Sequence, residues 1–120
     1  MTTVLVIDDS PSEMAKFRDM LARHSFQILE ATNGEQGCQM AADHLPDVIL
    51  MDVVMPEMNG FQATRKITRG KTTAHIPVIM ISTKNQETDR VWGKRQGAKE
   101  YMNKPVEENS LVDIIRKVTE

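Results

Sequence analysis

Five short segments with strand character, each followed by a segment with helical periodicity, limit what this chain can fold into more than any other feature. Val4-Leu-Val-Ile7, Val48-Ile-Leu-Met51 and Ile76-Pro-Val-Ile-Met-Ile81 are nearly unbroken apolar runs, too short for three helical turns and bounded by turn residues. Runs of this kind read as strands covered on both faces, which is how strands of a parallel sheet look. Phe26 to Ala31 alternates apolar and polar residues, as a strand with unequal faces does, and Glu100-Tyr-Met102 is a short fifth candidate. Helical patterns separate them. The first runs from Ser10-Pro11 to about Arg23, with Met14, Phe17, Met20 and Leu21 on one stripe. The second runs from Glu35 to about Asp43 through Gly37, Met40 and Ala41. The others run from Phe61 to Arg69, Asn85 to Gln96 and Glu107 to Val118, the last with Leu111, Ile114, Ile115 and Val118 at i, i+3, i+4 and i+7.

The punctuation agrees. Ser10 is suited to cap a helix and Pro11 to its first turn, Asn33-Gly34 is a turn, Leu45-Pro46 breaks a helix, and Gly97 stops one. Pro77 sits at the start of its run, where a missing ladder donor does least harm. Strand and helix alternating five times calls for an α/β fold, a five-stranded parallel sheet with helices on both faces and right-handed crossovers. The expected organisation is one domain over residues 1–120, with no linker, no low-complexity tract and the last helix using up the chain.

Composition excludes several kinds of function. Fifteen basic against 17 acidic residues give a formal net charge of -2, so no bulk attraction draws the chain to nucleic acid or anionic membrane. Aromatics at 4% leave little for base stacking. No apolar run approaches the roughly 18 residues of a membrane span, and the first strand follows Met1-Thr-Thr too closely to leave room for a signal peptide. A lone cysteine, Cys38, excludes an internal disulfide and suits a reducing cytoplasm. His24, His44 and His75 have no ligand spacing, and Met14, Met20 and Met40 read as core filler. Trp92 is divided between two readings, core residue or contact anchor.

In a parallel sheet all strand C-termini lie on one edge. Asp8-Asp9 ends the first run, Asp52 the third and Ser82-Thr83 the fourth, and Lys104 follows the fifth. If the first and third strands are neighbours at a switch point, three carboxylates meet in one crevice. Two unit charges about 4 Å apart repel by about 4 kcal/mol at an effective dielectric near 20. Such a cluster raises a pKa or takes a cation, and an all-oxygen donor set suits Mg²⁺ or Mn²⁺ rather than zinc. An aspartate can attack phosphorus, and phosphoryl transfer mainly needs positioning and charge neutralisation. The parts fit a phosphoryl acceptor.

Val-Leu-Val-Ile-Asp8-Asp9-Ser, Leu-Met-Asp52-Val-Val-Met-Pro56-Glu-Met-Asn-Gly60, Ile-Ser82-Thr83 and Lys104-Pro105, at their mutual spacing, resemble the CheY-like receiver domain of two-component response regulators from end to end. The resemblance implies a flavodoxin-like doubly wound (βα)5 fold with strand order 2-1-3-4-5. It implies Asp52 as phosphoacceptor and a Mg²⁺ site from Asp8, Asp9, Asp52 and the Val54 backbone carbonyl. It also implies Ser82 as the hydroxyl that turns toward the phosphoryl group, Lys104 as its cationic partner, and a cis Lys104-Pro105 peptide. Tyr101 resembles the aromatic that moves inward with the hydroxyl, so Ser82, Thr83, Tyr101 and Pro105 are expected to form the switch. Gly60-Phe-Gln-Ala-Thr-Arg65 and the stretch from Thr83 through Trp92-Gly-Lys-Arg-Gln-Gly97 resemble the single-domain PilH-type regulators of twitching motility.

That likeness implies a monomeric, stand-alone cytoplasmic phosphorylation switch. A CheA-like histidine kinase is its expected donor, and a downstream protein is expected to meet the face of the fourth helix, fifth strand and last helix. Val54, Thr83 and Lys84 depart from the commonest receiver pattern, and Thr83, bulkier than usual, is expected to alter the lifetime of the phosphorylated form. The competing readings are a phosphate sink for the kinase or a binding module that works without phosphorylation, and a Mg²⁺-dependent phosphohydrolase. The latter needs a second Asp two residues after the nucleophile, where this chain has Val54. A flavin site is disfavoured because no Ser/Thr-Gly phosphate loop follows the first strand.

Overall fold

The computed structural model describes residues 1–120 and contains all five strand–helix pairs. They are β1 (Thr3–Ile7), α1 (Pro11–Ala22), β2 (Gln27–Ala31), α2 (Gly34–His44), β3 (Val48–Asp52), α3 (Gly60–Thr68), β4 (Val78–Ser82), α4 (Glu87–Arg95), β5 (Glu100–Asn103) and α5 (Glu108–Thr119). The strands form one parallel sheet in the order β2-β1-β3-β4-β5, the flavodoxin-like arrangement expected.

Alternation along each strand divides the interior into two cores. Val4, Val6, Val48, Leu50, Ile79 and Ile81 face Met14, Phe17 and Leu21 of α1 and Leu111 and Ile115 of α5. Their neighbours Leu5, Ile7, Ile49, Met51, Val78 and Met80 pack on the other face with Cys38 and Ala41 of α2 and Ala63 and Ile67 of α3. All five residues of β3 and of β4 are buried, which accounts for their unbroken apolar runs. Each fully buried Leu or Ile contributes about 1.5–3 kcal/mol over leaving it in water.

The differences from the sequence reading lie at element ends. The fourth strand begins at Val78 rather than Ile76: Ile76 N donates to Thr73 O at 3.0 Å in a preceding turn, and Pro77 offers only its carbonyl, to Ile49 N at 3.0 Å. At the other end Ser82 still pairs with Asn103, so β4 and β5 both run one residue further than the apolar patterns do. The fourth helix starts at Glu87 instead of Asn85, because the Asp89 carboxylate takes the Gln86 N–H at 3.2 Å and closes the first turn there. In α2 Cys38 joins Ala41 in the core, and Met40 packs half-buried against it. Leu45 ends α2 in the left-handed region, at φ 46°. No helix is long and apolar enough to cross a membrane.

Candidate functional site

Every β-strand ends on the same edge of the sheet, and β1 and β3 are direct neighbours, with Ile7 opposite Met51. The residue after each partner therefore enters the same crevice: Asp8 from one strand, Asp52 from the other. Here the sheet order reverses, so α1 and α3 leave toward opposite faces and open the cleft. Asp8, Asp9 and Asp52 each bring a carboxylate oxygen within 4.8 Å of the others. Asp8 is 1% and Asp52 8% exposed, while Asp9 stands at the solvent rim.

The surroundings hold these groups in place. Asp8 Oδ1 accepts the Ser10 N–H at 2.9 Å, in the turn where Ser10 also caps α1. Asn59 and Gln62 exchange hydrogen bonds across the start of α3. Gly60 brings this helix against the end of β3: its N–H donates to Val53 O at 2.8 Å, and a Cβ there would lie 2.2 Å from Asp52 O. Lys104 arrives from beyond β5, its N–H on Ser82 O at 2.9 Å and its peptide to Pro105 cis. Its Nζ lies 3.1 Å from Asp52 Oδ1 and 3.3 Å from Asp8 Oδ2.

One ammonium among three carboxylates leaves an uncompensated negative charge. Burial and then the neighbouring Asp8 push the Asp52 carboxyl up to about 6, against the pull of Lys104 and with a smaller push from Asp9. Burial works against the charge on Lys104, but the contacts to Asp52 and Asp8 outweigh it and hold its pKa above the ordinary lysine value. A hard divalent cation suits this donor set, which is all carboxylate oxygen and open to water on the Asp9 side. Val54 lies two residues past Asp52 in the loop, 58% exposed, with only its backbone to offer such an ion.

Ser82 is buried and its Oγ accepts the Lys84 N–H at 3.0 Å. Thr83 is exposed and, with Lys104, Pro105, Lys16 and Phe17, borders a cleft of about 280 Å³ beside the acids. Tyr101 is turned inward, 6% exposed, with its Oη on Lys84 O at 2.8 Å. Trp92 is 47% exposed and so no core residue, and Cys38 is buried with its Sγ 3.7 Å from Ala63 O. Sequence reasoning passed over Arg90 and Asn103, whose side chains meet beside Tyr101. No local pattern in the sequence marks either.

Comparison with known proteins gives a consistent result. The sequence model of the response regulator receiver domain matches residues 4–116. Protein PilH of Pseudomonas aeruginosa is 53% identical over 118 residues, covering 98% of this chain and 98% of that protein. Response regulator PleD of Caulobacter vibrioides is 35% identical over 116 residues, 97% of this chain but 26% of that longer protein. The solved structure of chemotaxis protein CheY4 of Vibrio cholerae matches with a TM-score of 0.92 at 27% identity, over 98% of both chains.

Proposed function

The chain belongs to the response regulator receiver domain family, and from that premise we propose that it accepts a phosphoryl group on Asp52 from a histidine kinase and passes the change on to the face built by α4, β5 and α5. The carrying observation is the placement of Asp52: a nearly buried carboxylate at the strand edge, with a lysine 3.1 Å away and two further acids beside it. In the transfer one Asp52 oxygen attacks the phosphorus of a phosphohistidine, the P–N bond breaks, and the imidazole leaves with its nitrogen lone pair and takes up a proton. The attacking carboxylate must be ionised, and a pKa of about 6 leaves it mostly so at neutral pH. Lys104 is assigned to balance charge gathering on the phosphoryl oxygens, a role its contact with Asp52 supports, and Ser82 to turn and donate its hydroxyl to one of them. A Mg²⁺ or Mn²⁺ ion held by Asp8, Asp9, Asp52 and the Val54 carbonyl would supply further neutralisation of that charge.

The likeness to PilH supports a place in pilus-related signalling, and the donor proposed for it is a kinase of the CheA type. A phosphoacceptor is a better reading than a free-standing phosphohydrolase, since the position two after Asp52 carries Val54, which holds no proton to give or take. Labelling with acetyl phosphate and Mg²⁺ tests the assignment. Asp52→Asn is expected to lose labelling entirely, and a variant labelled as fast as the unaltered protein would move the acceptor elsewhere.

A further inference from the structure

Beyond the C-terminal ends of β4 and β5 runs a chain of polar contacts that phosphoryl transfer to Asp52 does not itself require. Ser82 Oγ accepts from Lys84 N at 3.0 Å. The carbonyl of that same Lys84 accepts twice, from Tyr101 Oη at 2.8 Å and from Asn103 Nδ2 at 3.0 Å. A peptide oxygen has two lone pairs, and both are used here. The other end of the Asn103 amide, Oδ1, accepts from Arg90 Nη2, while Arg90 Nη1 donates to Tyr101 O at 3.1 Å. Chemistry fixes the amide in this orientation, because a guanidinium only donates and a carbonyl only accepts. The guanidinium carbon also stands 5.4 Å from the centroid of the Tyr101 ring, within cation–π range.

Lys84 lies in an exposed loop, yet its peptide group is gripped at both ends. Its N–H is tied to the hydroxyl expected to move, and its carbonyl to the aromatic expected to respond. The carbonyl grip is doubled by Asn103, and Asn103 is in turn held by α4 through Arg90. We infer that Arg90 and Asn103 are positioning residues of the switch, holding the Lys84 carbonyl so that Tyr101 is kept inside and Ser82 is kept in place before any phosphoryl group arrives. A shift of Ser82 toward Asp52 releases the Lys84 N–H, and the loop carries that release to Tyr101 and α4 only while its carbonyl stays gripped. The consequence for phosphorylation rests on the reading of Asp52 and Ser82 above; the grip itself does not.

The chain has one tyrosine and one tryptophan, so the Tyr101 ring and the Trp92 indole each give a single resolved NMR signal set. Two variants separate the links. Asn103→Asp keeps an acceptor for Arg90 but removes the donor to Lys84 O, and Arg90→Met keeps the aliphatic stem but no donor. In metal-free, unphosphorylated protein, both are expected to move the Tyr101 ring signals toward exposed-tyrosine values while far-UV circular dichroism is unchanged. Ring signals identical to those of the unaltered protein would overturn the inference. A measurement free of any variant stands beside this: the Lys84 amide of the unaltered protein is expected to be protected from hydrogen exchange despite its exposed loop, and random-coil exchange there would also overturn it. With acetyl phosphate and Mg²⁺ both variants are expected to be labelled faster, by about three- to tenfold, because the contact that holds Ser82 back from Asp52 is weakened. Unchanged labelling with a loosened Tyr101 would remove these residues from the switch. Labelling of the unaltered protein is the control that separates a failure of Asp52 as acceptor from a failure of the grip.

Discussion

Asp52 is held in a setting that disfavours its own charge. Its pKa rises from 3.8 to about 6 on folding, so between those values the folded chain binds more protons than the unfolded one. Stability therefore falls as pH rises through that window, and the whole contribution, on the order of 3 kcal/mol, is withheld above it. In the presence of EDTA, Asp52→Asn is expected to unfold at higher denaturant than the unaltered protein at pH 7.5, with the gap closing below about pH 4. Equal midpoints across that range would mean that the carboxylate is better solvated than its 8% exposure implies. The same charge excess makes the site receptive to a cation, and so the residue that destabilises the free protein is the one proposed above to take up a phosphoryl group.

At the scale of elements, the site depends on how closely α3 approaches the end of β3. Gly60 is the contact point, and a methyl group there meets backbone, not a flexible side chain. Gly60→Ala must push α3 and its loop away from Asp52, and it is expected to cost about 2 kcal/mol or more in denaturant unfolding and to slow phosphoryl labelling as well. A variant as stable and as fast as the unaltered protein would show that the loop yields without cost. The sequence announced this loop through Pro56 and Gly60 but not the reason for the glycine, which lies in a contact between a helix start and a strand end. Boundaries behaved similarly. Apolar periodicity located each element, yet Pro77 delayed β4 and the Gln86–Asp89 contact delayed α4, through hydrogen bonds that hydropathy does not record.

At the scale of the whole molecule, three carboxylates from two strands make metal binding and stability one equilibrium. Mg²⁺ at about 100 times its Kd is expected to raise the unfolding free energy by about 2.7 kcal/mol, read as a higher Tm. Asp9→Ala, at an exposed rim position, is expected to leave the metal-free Tm nearly unchanged and to abolish the Mg²⁺-dependent rise; a full rise in the variant would reject Asp9 as a ligand. What the sequence determined by itself was the alternation of buried strands and amphipathic helices, because side-chain periodicity is a local property. It also determined which residues stand at or just beyond strand ends, Asp8, Asp9, Asp52, Ser82 and Lys104, because an apolar run ends within a residue or so of its strand. Only the tertiary structure decided that the inward Tyr101 shares a carbonyl with Asn103 and that Arg90 covers it, since these contacts join α4, β5 and a loop across 11 to 19 residues of chain. It also placed Trp92 on the surface. Hydrogen bonds between polar residues on separate elements leave no period in the chain, and they exist only once the sheet has brought those elements side by side.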